Sequence, residues 1–253
     1  MNPTPLSKAA SKLIRKLSLK KNREETGLFV AEGEKVISDL LSGGLKAKLL
    51  VTSDPGLFEK TNLSETRFFC SAEEMKTLSS LSAPPGLLAV FHQPDETPAE
   101  VLESGNRFLV ADGIKDPGNL GTLIRTAHWF GLDAVIAWNG CADLFNPKTV
   151  QSTMGSLGRI PVIYPAGENW LKAFQKSQIH LFGADLKGTA LNGIQPAIRF
   201  ALVIGSESHG ISNNLKEKID RFIFIPPVHE NNHPESLNAA VSAGIILARL
   251  SLH

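Results

Sequence analysis

The sequence has few cysteines and no long apolar run, and both shortages narrow what the protein can be. Its 253 residues contain only two cysteines, Cys70 and Cys141, which lie far apart and match no zinc-binding or redox spacing. No apolar stretch reaches the roughly 18 residues that a membrane-spanning helix needs. The basic residues near the amino terminus are not followed by the apolar segment of a signal peptide. We therefore expect a cytoplasmic protein with no membrane segment and no bound metal.

The chain also lacks an overall excess of charge, but its basic residues are unevenly distributed. The net charge is +1, with 42% hydrophobic and 20% charged residues, as in an ordinary globular protein of one or two domains. Residues 1–25 nevertheless hold seven basic residues against two acidic ones. This excess favours binding to a polyanion such as nucleic acid, although a solvated terminus would have the same composition. The candidate contacts are Lys12, Arg15, Lys16, Lys20, Lys21 and Arg23.

A polar, proline-containing stretch at residues 92–100 predicts a boundary between two domains. Before it, short apolar runs alternate with a helical pattern, which predicts a small α/β domain over residues 1–95 with a basic amino-terminal helix. After it, the alternation is stronger and the strands are apolar throughout, as in a parallel sheet covered on both faces. This second α/β domain is expected to span residues 106–253. Deleting residues 1–95 should then weaken binding to the polyanion and leave ligand binding by the second domain mostly intact.

Three short polar segments interrupt the apolar stretches of the second domain. They are Asn119–Gly121 with Arg125, Gly205–Glu207 with Gly210, and Ser236–Asn238. Each lies where a predicted strand runs into a turn or a helix, which is where open α/β sheets place their ligand sites. Core packing alone does not require such side chains there.

The first segment predicts the start of a helix. We expect this helix to run from about Asn119 to Phe130, with Asn119 as its cap. Arg125 can lean back over Gly121 toward Asn119, where a planar cation would suit an anion or an oxygen nucleophile. An ordinary surface arginine is the alternative.

The other two segments predict a glycine-flanked loop and a second helix start. Gly205 and Gly210 allow close backbone approaches, but no dinucleotide fingerprint or P-loop is present, and a plain tight turn remains possible. The last helix is expected from about Ser236 to Leu250, with Ser236 as its cap. Asn238 would then lie inside the helix and need a partner, as a core amide or a site residue.

One further pattern suggests a metal enzyme. His229-Glu230-Asn231-Asn232-His233 matches the H-E-x-x-H motif of zinc proteases, which works only on a helix. Neighbouring prolines and asparagines favour a loop instead. A zinc hydrolase that uses His229, Glu230 and His233 is therefore a minor alternative.

Taken together and in this order, the three segments resemble the motifs of the SpoU (TrmH-type) RNA ribose 2′-O-methyltransferases of the SPOUT superfamily. The sequence from Asp116 to Ala127 is similar to the first motif and that from Leu202 to Ser212 to the second. Ile225-Pro226 followed by Ser236–Gly244 is similar to the third. The start of the first domain, Phe29–Ile37, resembles the small RNA-binding domain that many members carry.

The resemblance implies a carboxyl-terminal domain threaded into a trefoil knot, S-adenosylmethionine as cofactor, a homodimer and an RNA substrate. It implies contacts to the cofactor from Ile204, Gly205, Glu207, Ile225 and Leu237. It implies a catalytic group of Asn119, Arg125, Glu207, Ser236 and Asn238. Ribosomal RNA is the expected substrate, and transfer RNA is the alternative.

The sequence departs from the family pattern in the cofactor motifs. Ser208 stands where the second motif usually has glycine, and the residues from Pro227 to Glu235 contain no glycine where the third motif usually has a short glycine-containing link. A catalytically silent RNA-binding homologue is therefore also considered.

Overall fold

The structure, a computed structural model, describes residues 4–54, 56–57, 66–94, 100–229 and 233–252. These residues form two compact units. The first contains the described residues up to 94 together with Asp143–Arg159, and the second contains residues 100–142 and those from Ile160 onward. Residues 143–159, which the sequence analysis assigned to the second domain, thus group with the first unit. No described helix is long and apolar enough to span a membrane.

The first unit is built on a five-stranded mixed sheet of order β1-β4-β3-β5-β2. Strands β1, β4 and β3 are parallel, and β5 runs antiparallel to both β3 and β2. The strands are β1 (Thr4–Pro5), β2 (Leu28–Glu32), β3 (Ala47–Thr52), β4 (Thr66–Phe69) and β5 (Leu87–His92). The helices are α1 (Lys8–Lys16), α2 (Lys20–Thr26), α3 (Glu34–Ser42), α4 (Ala72–Leu78) and α7 (Pro147–Thr153). The small α/β architecture and the basic amino-terminal helix, α1, are those expected from the sequence.

Alternate residues of strand β2 pack into two different cores, as the period of a strand requires. Leu28 and Val30 join a cluster with residues of α1 and α4, including Ile14 and Met75. Phe29 points to the other face, where its ring centroid lies 5.0 Å from that of Phe145. Residues 143–159 therefore contribute to the core of the first unit.

A buried ion pair also ties residues 143–159 into the first unit. Arg23 is only 3% exposed, and its Nε donates a 3.1 Å hydrogen bond to Oδ2 of Asp143. Its Nη1 donates to the carbonyl oxygens of Leu17 and Ser18 at 2.7 and 2.8 Å. Because these contacts satisfy most of the guanidinium, Arg23 is a structural residue here.

The second unit is a six-stranded parallel sheet of order β11-β9-β10-β6-β7-β8. Its strands are β6 (Arg107–Asp112), β7 (Ala134–Trp138), β8 (Val162–Ile163), β9 (His180–Ala190), β10 (Phe200–Gly205) and β11 (Arg221–Phe224). Its helices are α5 (Glu100–Ser104), α6 (Pro117–Trp129), α8 (Asn169–Lys176), α9 (Asn213–Lys216) and α10 (Ala239–Ser251). This is the parallel α/β sheet predicted from the sequence. The trefoil knot stays a prediction.

Both faces of this sheet are covered, which explains why its strands are apolar throughout. On one face, Phe108 and Val203 pack with Trp170 and Phe174 of α8. The other face carries α6 and α10, which pack against each other and bury Leu123 and Ile246 completely.

Helices α6 and α10 do not begin where the sequence analysis placed them. Helix α6 begins at Pro117, and its cap is Asp116, whose side chain accepts from the backbone N–H of Asn119 at 2.9 Å. Helix α10 begins at Ala239, and its cap is Asn238. The predicted caps, Asn119 and Ser236, were therefore wrong. Asn119 and Asn238 both lie at a helix start, where Asn119 is half-buried and Asn238 is exposed.

Candidate active site

The candidate site lies at the carboxyl ends of strands β6 and β10. These two strands are adjacent, yet the chain leaves β6 toward β7 on one side and reaches β10 by way of β9 on the other. Such a change of direction opens a crevice at the carboxyl ends of the strands. Asp112 and Gly205, the last residues of the two strands, lie opposite each other there.

The loop after β10 folds back tightly over Gly205. A Cβ atom on Gly205 would lie 2.1 Å from the carbonyl carbon of Gly210 and 2.2 Å from the backbone nitrogen of Ile211. Ser206 and Gly210 pair in both directions, with N···O distances of 3.2 and 2.8 Å. Glycine at position 205 is thus required by close backbone approach, as the second polar segment suggested.

Asp112 anchors the far end of this loop. It is 1% exposed, and its Oδ2 accepts a 2.6 Å hydrogen bond from the backbone N–H of Ser212. Asp112 is not among the site residues predicted from the sequence. The available signal was a carboxylate as the last residue of an otherwise apolar strand.

Three of the five predicted catalytic residues meet at this edge of the sheet. The side-chain amide of Asn119 donates to Oε1 of Glu207. The amide of Asn238 donates a 2.9 Å hydrogen bond to Oδ1 of Asn119. Asn238 uses its own Oδ1 to cap α10 by accepting from the backbone N–H of Ala240 at 2.9 Å. One residue from each polar segment therefore joins a single chain of hydrogen bonds, in which Asn119 is the bridge.

The other two predicted catalytic residues are exposed and stand apart from this chain of hydrogen bonds. Arg125 lies on α6, two turns after its start, and makes no hydrogen bond or ion pair with the residues that the structure describes. Ser236 lies in the loop two residues before Asn238. The structure does not place the Arg125 guanidinium in contact with Asn119. The roles of both residues stay predictions.

The residues predicted to contact a cofactor lie in the same three segments. Ile204 and Gly205 end β10, and Glu207 stands at the crest of the loop that follows. Ile225 follows β11 and is half-buried, whereas Leu237 is 47% exposed beside Asn238. An exposed apolar side chain next to a hydrogen-bonded polar group can contact both the apolar and the polar parts of a ligand.

The thiol of Cys141 is protonated and structural. It donates to the carbonyl oxygens of Ala111 and Trp138 at 3.1 and 3.2 Å. Burial, opposed in part by backbone hydrogen bonds, raises its pKa from 9.0 to about 11. Because the thiolate is the nucleophilic form, Cys141 is not a nucleophile at neutral pH.

The zinc-hydrolase motif lies in a segment without described helical structure. His229 and His233 are exposed and occupy bends or loops, and Glu230 lies outside the described residues. Nδ1 of His233 is 2.7 Å from the carbonyl oxygen of Pro234. The shared helical face that the motif needs is therefore missing from the described part of this segment.

The basic residues of the first 25 positions fall into three groups in the structure. Lys8, Lys12, Arg15 and Lys16 line an open groove on the first unit. Lys20 and Lys21 pair with Glu24 and Glu25 at 3.5 and 3.8 Å. Arg23, as described above, is buried. Among the described residues, only the first of these groups presents cations that are without a carboxylate partner.

Comparison with known proteins identifies the family. The model of the SpoU rRNA Methylase family matches residues 106–248, more than half of the chain. The chain belongs to the SpoU rRNA methylase family. A second model, of the MRM3-like substrate binding domain, matches residues 9–89.

Relatives of this SpoU family member match it over nearly its whole length. It is 33% identical, over 93% of both chains, to the 23S rRNA (guanosine(2553)-2′-O)-methyltransferase RlmP of Bacillus subtilis. The solved structure of a TrmH-family protein from Porphyromonas gingivalis superposes with a TM-score of 0.84 at 31% identity, covering 96% of this chain and 97% of the other. An AdoMet-bound rRNA methyltransferase from Sinorhizobium meliloti gives 0.82 at 28% identity, covering 97% and 95%.

Proposed function

We propose that this SpoU family member methylates the ribose 2′-hydroxyl of a nucleotide in ribosomal RNA, with S-adenosylmethionine as the methyl donor. The observation that carries the proposal is the bridge that Asn119 makes between Glu207 and Asn238. Three segments that are distant in sequence place polar side chains together at the edge of the sheet where ligands bind. The similarity to RlmP and to the AdoMet-bound relative supports the reaction, the substrate and the donor.

The residues at this edge fit such a cofactor. The backbone of Gly210 lies so close to Gly205 that a side chain at position 205 would collide with it, so this turn is lined by backbone atoms. Backbone groups of this loop, together with Leu237 and Ile225, would contact the cofactor. When bound, S-adenosylmethionine supplies a methyl group on a positively charged sulfur.

The side chains of the site would hold and orient the acceptor hydroxyl. Glu207 is held through one carboxylate oxygen by Asn119, and its other oxygen makes no hydrogen bond with the described residues. That oxygen can accept a hydrogen bond from a ribose hydroxyl. Asn119 cannot rotate freely, because Asn238 holds its carbonyl oxygen. Fixed groups of this kind contribute to the rate through positioning.

Arg125 would hold RNA rather than remove a proton. A guanidinium carries hydrogen-bond donors and no acceptor, so it is poorly suited to take up a proton. It can grip a phosphate with two parallel hydrogen bonds and stabilise the negative charge that develops on the ribose oxygen. Its exposure on α6 and its lack of a partner among the described residues leave all of its donors available.

We further propose that the protein is a homodimer and acts in the cytoplasm. Helices α6 and α10 expose large apolar side chains: Trp129 is 84% exposed, Val241 51% and Ile245 37%. Exposed apolar side chains of this size on two packed helices favour association with a second copy. Light scattering should give the mass of a dimer, and Trp129→Glu should give a monomer. Cell fractionation should find the protein with ribosomal precursors.

Methyl transfer to ribosomal RNA from cells that lack the protein tests the proposed reaction. Radiolabel from S-adenosylmethionine should appear at one nucleotide, and a 2′-deoxy nucleotide at that position should accept none. Glu207→Gln should fold normally but transfer much more slowly. Label on a base, label on transfer RNA alone, or an absence of cofactor binding in calorimetry would each contradict the proposal. The last result would favour the silent RNA-binding homologue.

A further inference from the structure

The groove on the first unit has a lining that suits an RNA backbone. It has a volume of about 630 Å³ and lies along α1, bordered by Leu6, Leu19 and Glu74 of α4. Its charged lining consists of four cations and one carboxylate: Lys8, Lys12, Arg15, Lys16 and Glu74. The groove therefore carries an excess of positive charge that the near-neutral composition of the whole chain conceals.

The four cations form a stripe because of their spacing on the helix. Lys8, Lys12, Arg15 and Lys16 stand at positions i, i+4, i+7 and i+8, which share one face of an α-helix. At 1.5 Å per residue, the stripe is about 12 Å long. The opposite face of α1 buries Ile14 in the core of the first unit. The helix is thus fixed by its apolar face and presents its cations outward.

The cations of the groove are available to an anion. Among the described residues, none of the four forms an ion pair with a carboxylate. Arg15 donates from Nη2 to the hydroxyl of Thr77 at 3.1 Å, which turns it across the groove and leaves its other donors unused. Glu74 is already engaged, because its carboxylate accepts from the backbone N–H of Ser71 as part of a helix cap.

The neighbouring basic residues differ in this respect. Lys20 and Lys21 each have a glutamate one turn later on α2, which neutralises them locally. Arg23 is buried against Asp143. The composition of residues 1–25 does not distinguish these three from the groove cations, and the structure does.

We infer that the groove along α1 binds successive phosphates of the RNA substrate through Lys8, Lys12, Arg15 and Lys16, and that Lys20, Lys21 and Arg23 take no direct part. The inference rests on the proposed function, which supplies RNA as the ligand. Phosphates follow one another at intervals of a few ångströms along an RNA strand, so a stripe of about 12 Å faces more than one of them. Leu19, which is 63% exposed at the groove edge, adds an apolar surface beside the cations.

The salt dependence of RNA binding tests the inference, because each phosphate contact releases counterions. The probe is a labelled 20-nucleotide oligouridylate, bound to the full-length protein at several salt concentrations. Lys12→Gln with Lys16→Gln should reduce the slope of log affinity against log salt by about 1.4, two contacts at roughly 0.7 each. The matched control, Lys20→Gln with Lys21→Gln, removes the same two charges and should leave the slope nearly unchanged.

Equal reductions in both double variants would overturn the inference, since binding would then follow total charge rather than the groove. No reduction in the groove variant, or no oligouridylate binding by the unaltered protein, would overturn it as well. Thermal melting and calorimetry with S-adenosylmethionine accompany each variant. The melting temperature and the affinity for S-adenosylmethionine should both stay unchanged, because the altered side chains belong to the first unit. Methyl transfer to ribosomal RNA by the unaltered protein tests the proposed function independently of the groove.

Discussion

At the scale of single residues, Asn119 is the side chain on which the candidate site depends most. Its side-chain nitrogen donates a hydrogen bond to Glu207, and its side-chain oxygen accepts one from Asn238. An asparagine can serve both neighbours at once because it carries a donor and an acceptor on the same planar group. Neither aspartate nor leucine of similar size could do so.

Reversing the polarity of the Asn119–Glu207 contact should first break it and then restore it. Asn119→Asp places two carboxylates together and removes the donor, which should cost about 1 kcal/mol and lower the melting temperature by roughly 2–4 °C. Adding Glu207→Gln supplies a new donor and should recover most of that loss. A thermal double-mutant cycle measures the coupling. If the two changes simply add, the contact does not exist in solution.

Arg125 separates a role in function from a role in folding. Because it is exposed and has no partner among the described residues, Arg125→Ala should change stability by less than about 0.5 kcal/mol. Methyl transfer to ribosomal RNA should nevertheless fall strongly. Arg125→Lys keeps the charge but loses the planar pair of donors, and it should rescue transfer poorly. Turnover near that of the unaltered protein in Arg125→Lys would refute a role for the planar group.

At the scale of elements, the loop after β10 depends on the absence of one side chain. Gly205→Ala forces a methyl group into the backbone of Gly210 and Ile211, which cannot move aside as a flexible side chain could. The loop that carries Glu207 must then shift. We expect the affinity for S-adenosylmethionine, measured by calorimetry, to fall at least tenfold.

Gly210→Ala is the matched control for Gly205→Ala. Gly210 has a φ of +64°, but open space surrounds the position of its Cβ. Alanine there costs about 1–2 kcal/mol of backbone strain without a collision. Affinity for S-adenosylmethionine should change only a few-fold. Similar losses in both variants would show that loop flexibility, rather than close packing, governs binding.

The elements themselves were largely predictable from the sequence, whereas their first residues were not. Strand β7 (Ala134–Trp138) is a continuous apolar run, and local pattern of this kind decides a buried strand. Helix α10 starts after Asn238, which caps the helix with its side-chain oxygen. The side-chain amide nitrogen of Asn238 donates a hydrogen bond to Asn119, which lies 119 residues away in the sequence. Local residue preference predicted Ser236 as the cap, because the sequence does not reveal that Asn238 has a distant partner. The same reason left Asp112 unnoticed.

At the scale of the whole molecule, the two units are not simply consecutive in the sequence, because residues 143–159 belong to the first unit. This segment is preceded and followed by residues of the second unit, yet it belongs to the first. Its buried side chains include Leu144, Val150 and Leu157. The local sequence of α7 does not show which core the helix joins, since that contact is not local.

Deleting residues 1–95 should therefore damage the remaining protein. Leu144, Val150 and Leu157 would lose their core, at about 1.5–3 kcal/mol each, which is a large part of the stability of a typical domain. The fragment should aggregate or melt well below the full chain. Replacing these three residues by serine in the fragment is the control and should restore solubility. A soluble fragment that binds S-adenosylmethionine without these replacements would support the sequence-based expectation of independence instead.

Because residues 143–159 belong to the first unit, folding of that unit is delayed during protein synthesis. A ribosome that has completed the first 95 residues must add another 64 before the first unit has all of its parts. At 5–20 residues per second, the sheet, whose strands all precede residue 93, waits roughly 3–13 s for residues 143–159, with Phe29 lacking its contact with Phe145. Nascent chains stalled before residue 143 should be cleaved readily by a protease at the first unit, and those stalled well beyond residue 159 should resist. The wait creates a window in which a chaperone would be of use.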